Sequence, residues 1–164
     1  MAEIVIVPAS APTAEVAALI GELDETLNAL YAPEQRHGLA LAALFQPHIR
    51  LLLARRNGRA VGCGGVAFLD GFAELKRMYV RPEARGQGVA DALMARLTAE
   101  ARAMGHDLLR LETAVHQHAA LGLYRRHGFV PCAAFPPYTA LPPEAVVTSV
   151  FMEKRLLPPE AVVA

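Results

Sequence analysis

The stretch "MYVRPEARGQGVADALM", from Met78 to Met94, carries an expected strand into an expected helix and decides how the chain is read. Its central loop, Arg85 to Ala90, lacks the side chain that normally covers a helix start. The first N–H groups of a helix have no intrahelical acceptor, and a Ser, Thr, Asp or Asn at the N-cap usually supplies one. Here an arginine and two glycines, Gly86 and Gly88, lead straight into the stripe Val89, Ala90, Leu93, Met94, Leu97 and Ala101.

Two readings fit that loop equally. Glycines let backbone approach a ligand, and free N–H groups at the positive end of a helix dipole favour an anion, above all a phosphate. Arg85 would then add a charge-assisted contact. A start covered by water, with glycines serving only a tight turn, fits as well. Two familiar phosphate loops are excluded. No Lys-Ser or Lys-Thr follows Gly88 to complete a P-loop, and Asp91 stands where a dinucleotide loop needs its third glycine.

The preceding "ELKRMYV" breaks strict alternation, which would put Leu75, Arg77 and Tyr79 on one face. The apolar set is Leu75, then Met78, Tyr79 and Val80 in succession. Such a phase slip accompanies a β-bulge or a strand splaying from its neighbour. A splayed strand leaves backbone amides for an extended, amide-bearing ligand. A strand end buried on both faces explains the pattern equally well.

Outward from this stretch, the remaining elements follow from periodicity and turn signals. "EIVIV", Glu3 to Val7, predicts a first strand, and Pro12 to about Tyr31 a helix with Val16, Leu19, Ile20, Leu23 and Leu27 at helical spacing. Asn57-Gly58 and Asp70-Gly71 mark two hairpins, giving a three-strand antiparallel meander. Gly62, Gly64 and Gly65 in its middle strand predict a bulge or a close backbone neighbour. After the helix closed by Gly105 come a strand "DLLRLET", a helix from Ala119 to His127 stopped by Gly128, and a short strand "FVPC". A Pro-rich loop, a final strand "SVFMEKRL" and a loose tail over 156–164 complete the chain. The order predicts one mixed α/β (α+β) domain over 1–164, with a mostly antiparallel central sheet flanked by helices.

Composition narrows the function. The 164 residues balance 16 Lys and Arg against 16 Asp and Glu, which argues against a nucleic-acid partner, whose footprint is a basic face. No apolar run approaches the roughly 20 residues of a membrane span. The start "MAEIVIVPAS" has no basic n-region, so the expected location is the cytoplasm, with Cys63 and Cys132 reduced. His116 and His118 are two potential ligands before a helix, too few for a metal site, so no metal is expected.

The quoted stretch resembles the central signature of the GNAT family of N-acetyltransferases, whose loop reads Gln/Arg-x-x-Gly-x-Gly/Ala. Arg85, Gly88 and Ala90 satisfy it. "QHAALGLYRRHGF" is similar to the family's N-x-x-A-x-x-L-Y-x-x-x-G-F segment, with Ala120, Leu123, Tyr124, Gly128 and Phe129 in register and Gln117 in place of the usual Asn. The resemblance covers a cofactor-binding core of about 74–129.

It implies acetyl-CoA as donor and direct transfer, in a ternary complex, to a primary amine of a small molecule, amino-acid-like compound or peptide. It implies that the amides from Gly86 through Gln87, Gly88 and Val89 to Ala90, with Arg85, hold the pyrophosphate. Backbone of Met78, Tyr79 and Val80 would pair with the pantetheine arm, and Gln117 would bond it from the other side. Tyr124 matches the position assigned to the acid that protonates the departing thiolate, and helical packing with Ala120 and Leu123 is its other reading. Glu74 stands where relatives place a base, with Glu112 or water as alternatives. Arg36, His37 and Tyr138 lie in loops where this fold forms its acceptor pocket. Homodimers are common in the family, and a non-catalytic acyl-CoA-binding module is the competing reading.

Overall fold

The computed structural model describes residues 3–156. Strand β1 (Ile4–Ala9) leads to helix α1 (Ala14–Leu30), where Thr13 caps the start by accepting from the Val16 amide at 3.4 Å. Two short 3-10 turns follow, and then the meander β2 (Ile49–Arg56), β3 (Arg59–Phe68) and β4 (Ala73–Val80). Helix α2 (Val89–Ala103) crosses to β5 (Leu108–Ala114), and α3 (His118–Arg126) to the two-residue β6 (Val130–Pro131). The Pro-rich segment is not all loop. It folds a 3-10 turn at Tyr138–Ala140 and a one-turn helix α4 (Pro143–Val146), entered at a proline whose fixed φ suits a first helical position. Strand β7 (Ser149–Arg155) closes the fold.

The strands form one seven-stranded sheet in the order β1-β2-β3-β4-β5-β7-β6. Every neighbouring pair is antiparallel except β4 and β5, which the α2 crossover makes parallel. α1 packs Val16, Leu19 and Ile20 with Leu51, Leu53 and Cys63 in one core cluster. In the other, α2 buries Val89, Leu93, Met94 and Leu97 with Leu52, Leu75 and Leu111, joined by Leu121, Leu123 and Tyr124 of α3. No helix among the described residues is long and apolar enough to cross a membrane.

The tail expected over 156–164 lies outside the described residues from 157 onward. Leu156 itself is buried and donates its amide to the Asp107 carbonyl at 2.8 Å, so this residue packs against the fold. "FVPC" forms ladder pairs with β7 at Val130 and Pro131, and Cys132 donates its amide to the Phe151 carbonyl at 2.9 Å, while Phe129 turns into the core.

Candidate active site

The phase slip in β4 is a bulge centred on Arg77. Gly62 pairs with Val80, Cys63 with Tyr79 and Gly65 with Lys76, so Arg77 and Met78 together face Gly64. Arg77 takes φ 57°, a left-handed conformation uncommon outside glycine. The bulge moves the apolar phase across the strand: Leu75 joins the α2 side of the core, and after the extra residue Met78 and Val80 return to that same side. The glycines opposite leave room for it. A Cβ on Gly62 would sit 2.9 Å from the Tyr79 carbonyl oxygen and 3.1 Å from the Val89 side chain.

Beyond the bulge β4 has no partner on its β5 edge. The two strands pair only at Ala73 with Leu109 and Glu74 with Arg110. Arg81 donates its amide to the Val61 carbonyl at 2.9 Å, toward β3. Backbone direction alternates along a strand, so the Val80 N–H points the other way, into the gap. The helix start beside that gap has the geometry its sequence suggests. Gly88 occupies the N-cap with φ 86°, no side chain caps α2, and Gly86 is also left-handed at φ 73°. Arg85 Nε holds the Val80 carbonyl at 2.9 Å, which ties the loop to the strand end.

Two cavities meet along this gap. The larger, about 550 Å³, is lined by Met78, Tyr79, Val80 and Arg85, by Gly86, Gly88, Val89 and Ala90, and by Gln117 and Tyr124. Gln87 is not among the lining residues: it is exposed, its side chain donating to the Glu83 carbonyl at 3.3 Å. The smaller cavity, about 120 Å³, is lined by Arg36, His37, Glu74, Lys76, Arg77, Glu112 and Tyr138. Leu23, Met78, Gln117, Ala120 and Tyr124 border both, so the two form one cleft with Tyr124 at the junction. The buried Gln117 Nε2 has no hydrogen-bond partner there, a free donor of the kind an extended amide ligand would meet.

The polar groups of the smaller cavity come from distant parts of the chain. Glu74, 1% exposed, accepts from the Tyr138 hydroxyl at 2.6 Å and pairs with Lys76 Nζ at 2.9 Å, and Lys76 also donates to Tyr138 at 3.0 Å. Glu112 accepts from Ser149 Oγ at 2.6 Å. Burial pushes the Glu112 carboxyl up from 4.5 to about 7, against the opposing pull of the Ser149 hydrogen bond and the Lys76 charge. Burial also raises the Tyr124 phenol, and the nearby Glu112 charge raises it further. His37 donates from Nε2 to the Ala145 carbonyl at 2.6 Å and meets the Tyr138 ring edge-on. The bond between Glu74 and Tyr138 is not visible in the sequence, because the two stand 64 residues apart.

Neither cysteine stands as a nucleophile. Cys63 is fully buried, with its thiol pushed up to about 12 by burial, and Cys132 lines neither cavity. Both thiols are free. Among the described residues, no group of three or more His, Cys, Asp or Glu is arranged to hold a metal ion.

The sequence profile of the Acetyltransferase (GNAT) family matches residues 18–129. The chain belongs to that family. It is 46% identical over 143 residues to a protein named IAA acetyltransferase from Azospirillum brasilense, spanning 86% of this chain and 90% of the relative. A crystal structure of a Klebsiella pneumoniae protein classed as an acyl-CoA N-acyltransferase superposes with TM-score 0.73 at 39% identity, covering 94% of this chain and 98% of the other. The PaiA N-acetyltransferase of Thermoplasma acidophilum, solved with coenzyme A, shares the fold at TM-score 0.68 and 16% identity, over 93% of this chain and 99% of its own. This GNAT protein is thus an enzyme, an acetyl-CoA-dependent N-acetyltransferase.

Proposed function

We propose that the larger cavity takes acetyl-CoA and the smaller one a small primary amine, with transfer occurring directly between them at Tyr124. The observation that carries this reading is the single cleft. It joins an uncapped helix start and an unpaired strand edge to a pocket holding a carboxyl raised to about 7.

The residues present fit the donor. Amides of Gly86, Gln87, Gly88, Val89 and Ala90 would bind the pyrophosphate, with Arg85 adding positive charge at the rim. Met78, Tyr79 and Val80 would offer backbone to the pantetheine arm, and the unpartnered Gln117 Nε2 would donate from the facing wall. When bound, acetyl-CoA supplies an acetyl group activated as a thioester.

Protons are handled by the chain. An alkylammonium with a pKa near 10.4 has no lone pair to attack with, so a base must take its proton. Glu112 is suited to that work, since a base poised near 7 is both deprotonated and basic enough at neutral pH. Glu74 already accepts from two donors, so its role in this reading is to hold Lys76 and Tyr138 against the acceptor. The Val80 N–H, directed into the gap, stabilises negative charge on the acyl oxygen. Tyr124, whose burial keeps the phenol protonated, gives its proton to the departing sulfur. Arg36, His37 and Tyr138 form the acceptor wall.

The test is a thiol-release assay with acetyl-CoA and a panel of primary amines. Amine-dependent release supports the reading. Tight acetyl-CoA binding with no turnover on any amine would reduce the protein to a binding module. A cytoplasmic location is part of this reading, and fractionation of the native host tests it.

A further inference from the structure

The cations of the smaller cavity are not equally compensated. Lys76 is paired with Glu74, and Arg77, at the bulge, reaches Asp24 of α1 through its Nη2. Arg36 has no carboxylate partner among the described residues. Its one hydrogen bond goes from Nη1 to the neutral side-chain oxygen of Asn28. Both Arg36 Nε and Arg77 Nε are shut off from solvent and have no acceptor. Folded proteins rarely leave buried donors unsatisfied, and here both arginines line the same small cavity.

We infer that the acceptor amine also carries an anionic group, a carboxylate or a phosphonate, which Arg36 binds with help from Arg77. This inference rests on reading the smaller cavity as the acceptor site. A guanidinium presents donors in a planar fork that matches such oxyanions two at a time, and its attraction grows when both are withdrawn from water. Arg36 stands on the wall that follows α1, while Glu74 and Glu112 stand on the sheet. A molecule with an amine at one end and an anion at the other is therefore met by complementary charge at both. The cavity of about 120 Å³ favours a short spacer between the two groups.

The experiment compares kcat/KM within matched acceptor sets in which a methyl group replaces the acid. One set is alanine, its phosphonate analogue and isopropylamine. The other is β-alanine, its phosphonate analogue and propylamine. The acidic members should exceed their methyl counterparts by about 30-fold or more, the scale of one hydrogen bond to a charged group. The faster acid in each set identifies which anion the site takes. Arg36→Gln should bring that ratio to within about threefold of one, and Arg36→Lys, which keeps the charge and loses the fork, should hold an intermediate ratio. Thermal melting checks that both variants remain folded, and the lysine variant carries the test if the glutamine variant does not. Methyl counterparts acetylated as well as the acids, or a ratio indifferent to both substitutions, would overturn the inference and leave the acceptor-site reading standing. Failure of every amine to release thiol would instead sink that reading, and the inference with it.

Discussion

The larger cavity is framed mainly by backbone and the smaller by side chains, and the two meet at one tyrosine. In the first, Gly86, Gly88 and the unpaired edge of β4 present N–H groups whose direction is set by local conformation. In the second, Glu74, Glu112, Tyr138 and Arg36 arrive from two strands and two loops to line one pocket. The contrast teaches that these halves answer differently to mutation. A backbone site fails when the chain path or its charge is changed and tolerates loss of a side chain. A side-chain site fails atom by atom.

The heaviest blow to the backbone half is Gly88→Glu. A non-glycine residue at φ 86° costs about 1–2 kcal/mol, and a carboxylate about 4 Å from a bound anion adds about 4 kcal/mol near a protein surface. At about 1.4 kcal/mol per decade, acetyl-CoA affinity should fall by about three orders of magnitude or more, measured by titration calorimetry. Near-normal binding would mean that the anion sits elsewhere.

At the junction, Tyr124→Phe should lower kcat by about 100-fold while acetyl-CoA affinity stays within about twofold. Loss of affinity in step with turnover would assign Tyr124 to packing alone.

Glu112→Gln separates activity from stability. The amide cannot take a proton, so kcat should drop by roughly 30- to 100-fold at pH 8, at the low end for a lost base because water can partly replace it. In the wild type, kcat/KM should fall as pH drops below about 7, and that limb should vanish in the variant. Stability moves in the opposite direction. The folded pKa lies above the unfolded one, so between pH 4.5 and 7 the native state binds the extra proton and is favoured toward acid. Above pH 7 the buried carboxylate is a net cost of up to about 3 kcal/mol, which the neutral amide avoids. The variant should therefore melt higher at pH 8 and like the wild type near pH 4.5. Equal melting at both pH values would show that Glu112 is not held in its neutral form.

The same contrast explains what the sequence made legible. The uncapped start at Gly88 and the slip between Leu75 and Met78 are local features, since turn and strand conformation is written in adjacent residues. The order of elements along the chain and the three-strand meander followed from periodicity and from Asn57-Gly58 and Asp70-Gly71, whereas the placing of β7 between β5 and β6 had no local signal. The acceptor half was legible only as a set of unconnected candidates. Nothing near Glu74 announces that Tyr138 will donate to it, and nothing near Glu112 announces Ser149. Those bonds exist because the parallel placement of β4 and β5, the antiparallel return of β7 and the Pro-rich segment bring distant residues together. α4 was missed for a related reason: four residues carry no periodicity to read.

The smallest effect offers the sharpest test of the backbone half. Gln87 lies in the middle of the loop, yet its side chain is exposed and bonds only to the Glu83 carbonyl. If the loop binds through amides, Gln87→Ala removes nothing that faces the anion. Its acetyl-CoA affinity should change by less than about twofold, within the scatter expected for an exposed substitution away from any cap or core. A tenfold loss would mean that a side chain, rather than the chain path, reads the anion, and the division between the two cavities would then be one of position and not of kind.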